Sequence, residues 1–558
     1  MNRRLAMMSV LLAAALAACT ADTPGPGPAT TGAEPACDRT LDAAFGAWAR
    51  SGFSGSVAIS TGGRFECLAG YGSANDATGT RNTPDTVFSI GSVTKAVTAA
   101  TVFGLVDDGK LTLDDRAGRL LPELAGPVRA ATVRQLLLHT SGLTGSHGED
   151  YRPLSRDAAV AALGRLRLAF PPGTGHAYSN GGYTLLALII EKLSGRSYRD
   201  YTASRILSRP GGRVAGGFWN GTPAAAGPRA VGYLDGGGTG QRGDFGGPHW
   251  ALDGNGGLAM TARQLASWTH ALFTGAVVSG GSVAAIGRPG FDLGDGRSET
   301  PGWVALAAKV HGMPVLMTAG GGGDVGHNVV VAWLPERQRA VVVTSNRPGM
   351  TAEKLLGAIG PALFAGDPVP VPGTSAGAVD GAGIVGTYRL GTGGSFEVTA
   401  RDGRMEISAH GADGVAALLP PRGVPPGDVR RHAERVSALL AGRTGEGRTE
   451  RGLIESEFGP ITAVTPAGTI LADGELRSYV TVTTGGRSVL GWYAVDANGG
   501  VQGAELPTGA PALSFVRSGD HYRPDDPTGG GPEVTVAFAG DRMTVTGPAG
   551  GTTARRAG

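Results

Sequence analysis

A Pro-rich stretch at residues 367–383, with Pro368, Pro370, Pro372 and Gly373, divides the sequence into two parts of different texture. Before it, residues 38–366 mix helical and strand-like patterns. A hairpin is predicted where Gly55–Ser60 and Arg64–Tyr71 flank Thr61-Gly62-Gly63. Helices follow at Ser92–Asp108, which reads as amphipathic, and at Thr132–Leu138, Gly181–Leu193 and Ala262–Phe273. Strand-like runs at Met313–Thr318, Asn328–Trp333 and Ala340–Thr344 precede a last helix at Thr351–Leu363. A hairpin at one end and strands at the other predict one antiparallel sheet built from both ends and flanked by helices, an α+β arrangement. After the break, residues 384–558 carry short alternating runs such as Ser395–Thr399, Met405–Ala409, Tyr479–Thr483, Val489–Val495 and Glu533–Phe538, separated by turn signals such as Asp402-Gly403. That pattern predicts an all-β domain, a barrel or a sandwich.

The N-terminal segment bears on location. Asn2-Arg3-Arg4 leads into the apolar run Leu5–Ala18, too short to span a bilayer comfortably and suited to an export signal over residues 1–18. Leu16-Ala17-Ala18-Cys19 resembles the lipobox of bacterial lipoproteins, which implies lipidation of Cys19 and a membrane anchor made of acyl chains. Residues 19–37, rich in Pro, Gly and Thr, read as a flexible tether. The expected location is therefore the bacterial cell envelope, outside the cytoplasm. With Cys19 lipidated, Cys37 and Cys67 remain as an even pair in an oxidising compartment, and a disulfide between them is expected.

With 49 Lys+Arg against 47 Asp+Glu and no long basic run, the chain has no electrostatic footprint for nucleic acid. There is no C-x-x-C, H-E-x-x-H or Walker-type G-K-[ST], so neither a metal site nor a P-loop is expected. Gly373-Thr374-Ser375-Ala376-Gly377 has the form of a nucleophile elbow, but it sits in the Pro-rich linker without a strand-to-helix turn and reads as chance. Asp114, Asp115 and Asp253 read as turn and surface carboxylates.

The chemistry concentrates elsewhere. One of only five lysines stands three residues after a serine at a helix start, in Ser92-Val93-Thr94-Lys95. Positions i and i+3 share a helix face, so the amine reaches the hydroxyl. A desolvated lysine with lowered pKa can take the serine's proton. Tyr178-Ser179-Asn180 follows Pro171-Pro172-Gly173 and precedes a helix, offering a phenol for proton transfer and an amide for substrate. The plain alternative is an aromatic at a helix start with Asn180 as its N-cap. Gly320-Gly321-Gly322-Gly323 precedes a strand, where backbone can approach a substrate closely.

Four segments, Phe88-Ser89-Ile90-Gly91-Ser92-Val93-Thr94-Lys95, Leu136-Leu137-Leu138-His139-Thr140-Ser141-Gly142-Leu143, Tyr178-Ser179-Asn180 and Gly256-Gly257-Leu258-Ala259-Met260-Thr261-Ala262, together resemble the serine β-lactamase-related family over roughly Phe53–Leu363. That family includes class C β-lactamases, D-Ala-D-Ala carboxypeptidases, D-aminopeptidases and esterases. The resemblance implies a β-lactamase/transpeptidase-like fold, with Ser92 as the acyl-enzyme nucleophile, Lys95 as its base, Tyr178 as proton relay and Asn180 on the substrate's amide or carboxylate side. It also implies an oxyanion hole formed by the N–H groups of Ser92 and of Gly322 or Gly323, and no metal or organic cofactor. The C-terminal part resembles the lipocalin-like appendage of such hydrolases.

One departure stands out. The family's third motif, Lys-Thr-Gly or His-x-Gly, falls on Gly320-Gly321-Gly322, so its basic residue is missing and Gly320 and Gly322 are left to line the substrate. His327 and His311 are candidates to replace the cation, although histidines in strands are more often structural, and His139 reads as a structural hydrogen-bonding residue. The loop Gly236–Trp250, where specificity is expected, has no readable pattern. The sequence thus predicts an envelope-tethered serine hydrolase cleaving an ester or amide of a small-molecule or peptide substrate. The alternatives are a penicillin-binding D,D-peptidase or β-lactamase, and a non-catalytic envelope binding protein on the same fold.

Overall fold

The computed structural model describes residues 37–557 except 209–214, 219–227, 235–237, 241–246, 319, 322–324, 373–380, 382, 402–403, 473–474, 497–498, 527, 530 and 549. The signal, Cys19 and most of the tether, and most of the second linker with its Gly-x-Ser-x-Gly, lie outside the described residues. Among the described residues no helix is long and apolar enough to cross a membrane.

The chain builds one eight-stranded antiparallel sheet from its two distant parts. Its strands are β1 (Gly55–Thr61), β2 (Arg64–Tyr71), β3 (Phe291–Gly294), β4 (Arg297–Thr300), β5 (Trp303–Leu306), β6 (Val315–Met317), β7 (Asn328–Leu334) and β8 (Arg339–Ser345), in the order β2-β1-β8-β7-β6-β5-β4-β3. The β1–β2 turn places Gly62 and Gly63 at φ +56° and +78°, the doubled left-handed backbone that a tight hairpin needs and glycine supplies. β1 then pairs with β8 in the register Val57↔Val343. The β3–β5 strands were not predicted from the sequence: each has only four residues, too few to establish an alternation.

Side chains alternate between the two faces, and each face buries its own core. Ala58, Val329, Val331, Trp333 and Val342 pack into one cluster with the helices Thr94–Asp107, Asn180–Ser194 and Ala262–Phe273. Val57, Ile59, Val330, Ala332 and Val343 pack into the other with the helices Arg39–Arg50 and Ala352–Ala365. A disulfide joins Cys37, just before the first helix, to Cys67 on β2. The Thr94–Asp107 helix differs from its amphipathic expectation: every residue from Thr94 to Leu105 is buried. Its Ala, Val and Thr side chains are small or apolar all round, which suits a helix enclosed on all sides. The hydroxyls of Thr98 and Thr101 are satisfied by the carbonyls of Gly254 and Val97, both at 2.8 Å.

The C-terminal part contains the expected barrel, eight antiparallel strands closed by Tyr388↔Arg556 pairing around Tyr388, Phe396, Met405, Ile407, Phe515 and Met543. It also contains an insertion in which the predicted runs Tyr479–Thr483 and Val489–Val495 form strands, but of a separate sheet, together with helices that were not predicted. Between barrel strands Arg404–His410 and Ala512–Ser518 the chain inserts helices Ala412–Leu418, Pro426–Leu440 and Gly445–Phe458 and a four-stranded sheet beginning at Ile461–Ala472 and Glu475–Thr484. Val436, Leu439, Leu440, Ile454, Val480 and Tyr493 give the insertion a core of its own. The Pro426–Leu440 helix does carry an apolar face, through Val436, Leu439 and Leu440, that the sequence analysis did not pick out, whereas the Gly- and Glu-rich Gly445–Phe458 helix has a weaker one.

Candidate active site

Ser92 sits in a 3-10 turn, Gly91–Val93, that feeds directly into the Thr94–Asp107 helix. The strand Val87–Ser89, paired with Leu258–Thr261, delivers the turn to the wall of the large sheet. Lys95 follows in the first turn of the helix, 3% exposed, with three acceptors around its ammonium. Its Nζ donates to Ser92 Oγ at 3.1 Å, Asn180 Oδ1 at 2.8 Å and the Asn255 carbonyl at 3.0 Å, and lies 4.6 Å from the Tyr178 ring centre. Burial disfavours the charged amine and draws its pKa from 10.5 down to about 7, against the opposing pull of Asp150 and Glu299. The lowered pKa favours an unprotonated amine beside the serine.

Tyr178 donates its hydroxyl to Ser92 Oγ at 2.6 Å. The residue is 41% exposed at the mouth of the site. Crowding around the inward-facing hydroxyl still pushes its pKa upward, so the phenol is a proton donor at neutral pH. Ser179, not Asn180, caps the following helix: its Oγ accepts the N–H of Gly182, which leaves the Asn180 amide free to hold Lys95. His139, buried and at φ +54°, accepts the Ser179 N–H through Nδ1 at 3.0 Å and packs 4.5 Å from the Tyr178 ring centre. Desolvation holds it neutral, so it fixes the Tyr178 segment as an uncharged acceptor.

Several contributors were not visible in the sequence. The Asn255 carbonyl is a backbone group and has no side-chain signature in the sequence. Glu299 on β4, 7% exposed with its carboxyl pushed upward by burial, holds His176 at 3.2 Å and places a second titratable pair beside the cluster. Asp253, read as a surface carboxylate, is 6% exposed and bound to Arg199 at 2.9 Å, with the Arg199 partnership opposing the upward push of burial on its pKa. Asp114 is an exposed partner of Arg134, whereas the Asp115 side chain is largely buried, bound to Arg119 and accepting the Thr112 N–H at 2.8 Å.

The third-motif segment is only partly described: Gly322 and Gly323 lie outside the described residues, so the second oxyanion donor is not placed. Gly321 pairs with Val329 through both backbone hydrogen bonds, at 3.3 and 3.2 Å. A Cβ on Gly321 would collide with the Ile90 carbonyl and lie 2.5 Å from the Ser92 nitrogen, so only glycine lets this backbone reach the nucleophile turn. At Gly320 a Cβ would overlap the carboxylate of Glu353, which accepts the Gly320 N–H at 3.0 Å. An anion therefore stands where a cation was sought. Neither histidine replaces it: His327 is 1% exposed, accepts the Ser89 N–H at 2.9 Å and is held by burial at a pKa of about 4, while His311 packs edge-on against Phe364. These walls bound a cavity of about 500 Å³ that includes Ser92, Tyr233, Gly320, Arg347 and Lys354. Arg347 is committed to Asp76 at 2.5 Å. Among the described residues no cluster of His, Cys, Asp or Glu could hold a metal ion.

The arrangement places a lysine amine and a tyrosine hydroxyl within hydrogen-bond reach of one serine oxygen, with the Gly321 backbone packed against the Ser92 turn. Comparison with known proteins places the chain in a family. A stretch of 157 residues is 33% identical to the teichoic acid D-alanine hydrolase of Staphylococcus aureus, covering 28% of this chain and 38% of that protein's length. The octameric penicillin-binding protein homologue from Pyrococcus abyssi shares the fold at a TM-score of 0.53 and 20% identity, over 85% of this chain and 99% of that one. The beta-lactamase family model matches residues 42–363, and the chain belongs to that family as one of its serine hydrolases.

Proposed function

We propose that this protein is an envelope-tethered hydrolase that cleaves an ester or amide through an acyl-enzyme on Ser92. The observation that carries the reading is the convergence of Lys95 and Tyr178 on one serine oxygen, at 3.1 and 2.6 Å, with the lysine desolvated. Neutral Lys95 takes the Ser92 proton as Oγ attacks the substrate carbonyl. The developing oxyanion is held by the Ser92 N–H and by backbone of the 320–323 segment, Gly323 being the expected second donor. The proton passes through Tyr178 to the departing oxygen or nitrogen as its bond to carbon breaks. Water, activated by the same pair, then attacks the Ser92 ester and regenerates the serine. Asn180 holds Lys95 in place and borders the substrate, together with Gly320 and Gly322.

The Glu353 carboxylate at Gly320 argues against a substrate whose free carboxylate must lie on that wall, and so favours esters and amides over β-lactams and free C-terminal D-Ala peptides. Similarity to a teichoic acid D-alanine hydrolase supports an aminoacyl ester of an envelope polymer as the substrate class. The tether is the Cys19 lipid, which would hold the enzyme at the membrane where such a polymer lies. The test is intact-mass spectrometry of the purified protein with a reactive phosphonate and, separately, a penicillin. A phosphonate adduct that is lost in Ser92→Ala is the expected result. A dominant penicillin adduct would place the protein with D,D-peptidases and β-lactamases, and no adduct with either reagent would support a binding protein.

A further inference from the structure

The C-terminal insertion holds a cavity of about 440 Å³, and none of the residues lining it lines the Ser92 cavity. It opens between the Pro426–Leu440 helix, the loop before it and the strands Ile461–Ala472 and Glu475–Thr484. Its volume falls in the range of small-molecule sites, roughly 300–1,000 Å³. The walls are apolar, formed by Ala416, Pro421, Val424, Val429, Ala433 and Val480.

Two buried hydroxyls interrupt that lining. Thr469 and Ser478 are register partners across the two strands, 8% and 2% exposed, and their oxygens lie 2.8 Å apart. Behind them is His432, 3% exposed, whose Nε2 accepts the Val495 N–H at 3.1 Å and whose Nδ1 lies 2.8 Å from Ser478 Oγ. Because Nε2 is an acceptor, the neutral ring carries its proton on Nδ1 and donates it to Ser478. Burial keeps the ring neutral by lowering its pKa to about 4. The two hydroxyls then hold two protons between them but share a single mutual hydrogen bond. Whichever of them donates in that bond, one O–H proton is left without an acceptor among the described residues, and both residues line the cavity. Buried donors are ordinarily satisfied, so a spare one facing an apolar space asks for an acceptor from outside the chain. Arg430, exposed on the same helix, adds a positive charge at the rim.

We propose that this cavity binds an aliphatic carboxylic acid or its ester, the chain lying against the apolar walls and a carbonyl oxygen accepting the spare proton of the Thr469–Ser478 pair. The shared chemistry is an acyl chain ending in a carbonyl. Arg430 favours the free acid, and a neutral ester would make no use of that charge.

Isothermal calorimetry of the purified protein with decanoate and with methyl decanoate tests this. Binding of decanoate, of methyl decanoate or of both is expected, and the pattern tells the free acid from the ester as the preferred form. Ala433→Trp, which fills the space from an incompletely buried helix position, abolishes whatever binding is seen. The double variant Thr469→Val/Ser478→Ala weakens it about tenfold, the loss of one buried hydrogen bond. Arg430→Gln weakens decanoate alone. Absence of binding by both ligands, or binding that Ala433→Trp leaves unchanged while its melting temperature stays that of the wild type, overturns the proposal. If the double variant fails to fold, the Ala433→Trp and Arg430→Gln comparisons still decide the matter.

Discussion

Changing Asn180 to Asp replaces one oxygen-bearing side chain by another of nearly the same shape and puts a negative charge where Oδ1 now lies, 2.8 Å from Lys95 Nζ. The desolvation that brings Lys95 from 10.5 to about 7 amounts to about 5 kcal/mol against the charged amine. At pH 7 it raises the neutral fraction from roughly one in 3,000 to about one half. A carboxylate at 2.8 Å reverses much of this. Its attraction is about 6 kcal/mol at an effective dielectric of ~20, offset by the desolvation of the new charge, and close opposite charges raise a pKa by roughly 1–3. With a rise of about two, the amine titrates near pH 9 and its neutral fraction at pH 7 drops about fifty-fold. The assay is kcat/KM for a chromogenic ester from pH 5 to 10. Wild type should show a limb that falls about tenfold per pH unit below ~7. Asn180→Asp should shift that limb to about pH 9 and approach wild-type rates above it, less any loss of substrate contact. Asn180→Ala, which adds no charge, should leave the limb near 7. A uniform loss in Asn180→Asp at every pH, with the limb unmoved, would refute the assignment of Lys95 as the titrating base.

Two further outcomes follow from the same geometry. Lys95→Met should abolish turnover yet raise the melting temperature, because a base whose folded pKa lies below its unfolded one destabilises the fold fully below ~7 and less as pH climbs toward 10.5; the gain measured by calorimetry at pH 7 should vanish above pH ~11. Gly321→Ala should cost roughly 1–3 kcal/mol of stability by overpacking and cut kcat at least tenfold, because its Cβ collides with backbone beside Ser92; unchanged kcat would mean that the segment can retreat without disturbing the nucleophile.

The fold was legible where one physical signal dominated. The Gly62-Gly63 hairpin, the Val-rich runs of β7 and β8 and the 262–273 helix each carry a strong local pattern, and all three formed as expected. The Ser92, Lys95, Tyr178 and Asn180 constellation was legible because side chains carry it, and the fold brings all four together. What stayed hidden was relational. The Asn255 carbonyl has no side-chain signature, the Glu299–His176 pair joins residues 123 apart, and the buried Asp253, in a turn, is paired with an arginine on a helix 54 residues earlier. The short strands β3–β5 owe their state to pairing with their neighbours, β5 on β6, β4 on β5 and β3 on β4, more than to their own residues. The Glu353 carboxylate at Gly320 likewise arises only when the last helix of the domain meets the strand edge.

The pairing of β1 with β8 also governs how the enzyme comes into being. Val57 meets Val343, so the sheet that backs the Ser92 turn lacks its middle until more than half of the polypeptide has been synthesised. Closing so long a loop adds little to the equilibrium cost, since each doubling of length adds only about 0.6 kcal/mol, but it makes the search for the native pairing slow. The early segment, with its serine and lysine already in place along the chain, therefore remains an unassembled and inert nucleophile during elongation. A chain broken off before residue 345 would lose the whole hydrolase rather than a fraction of it.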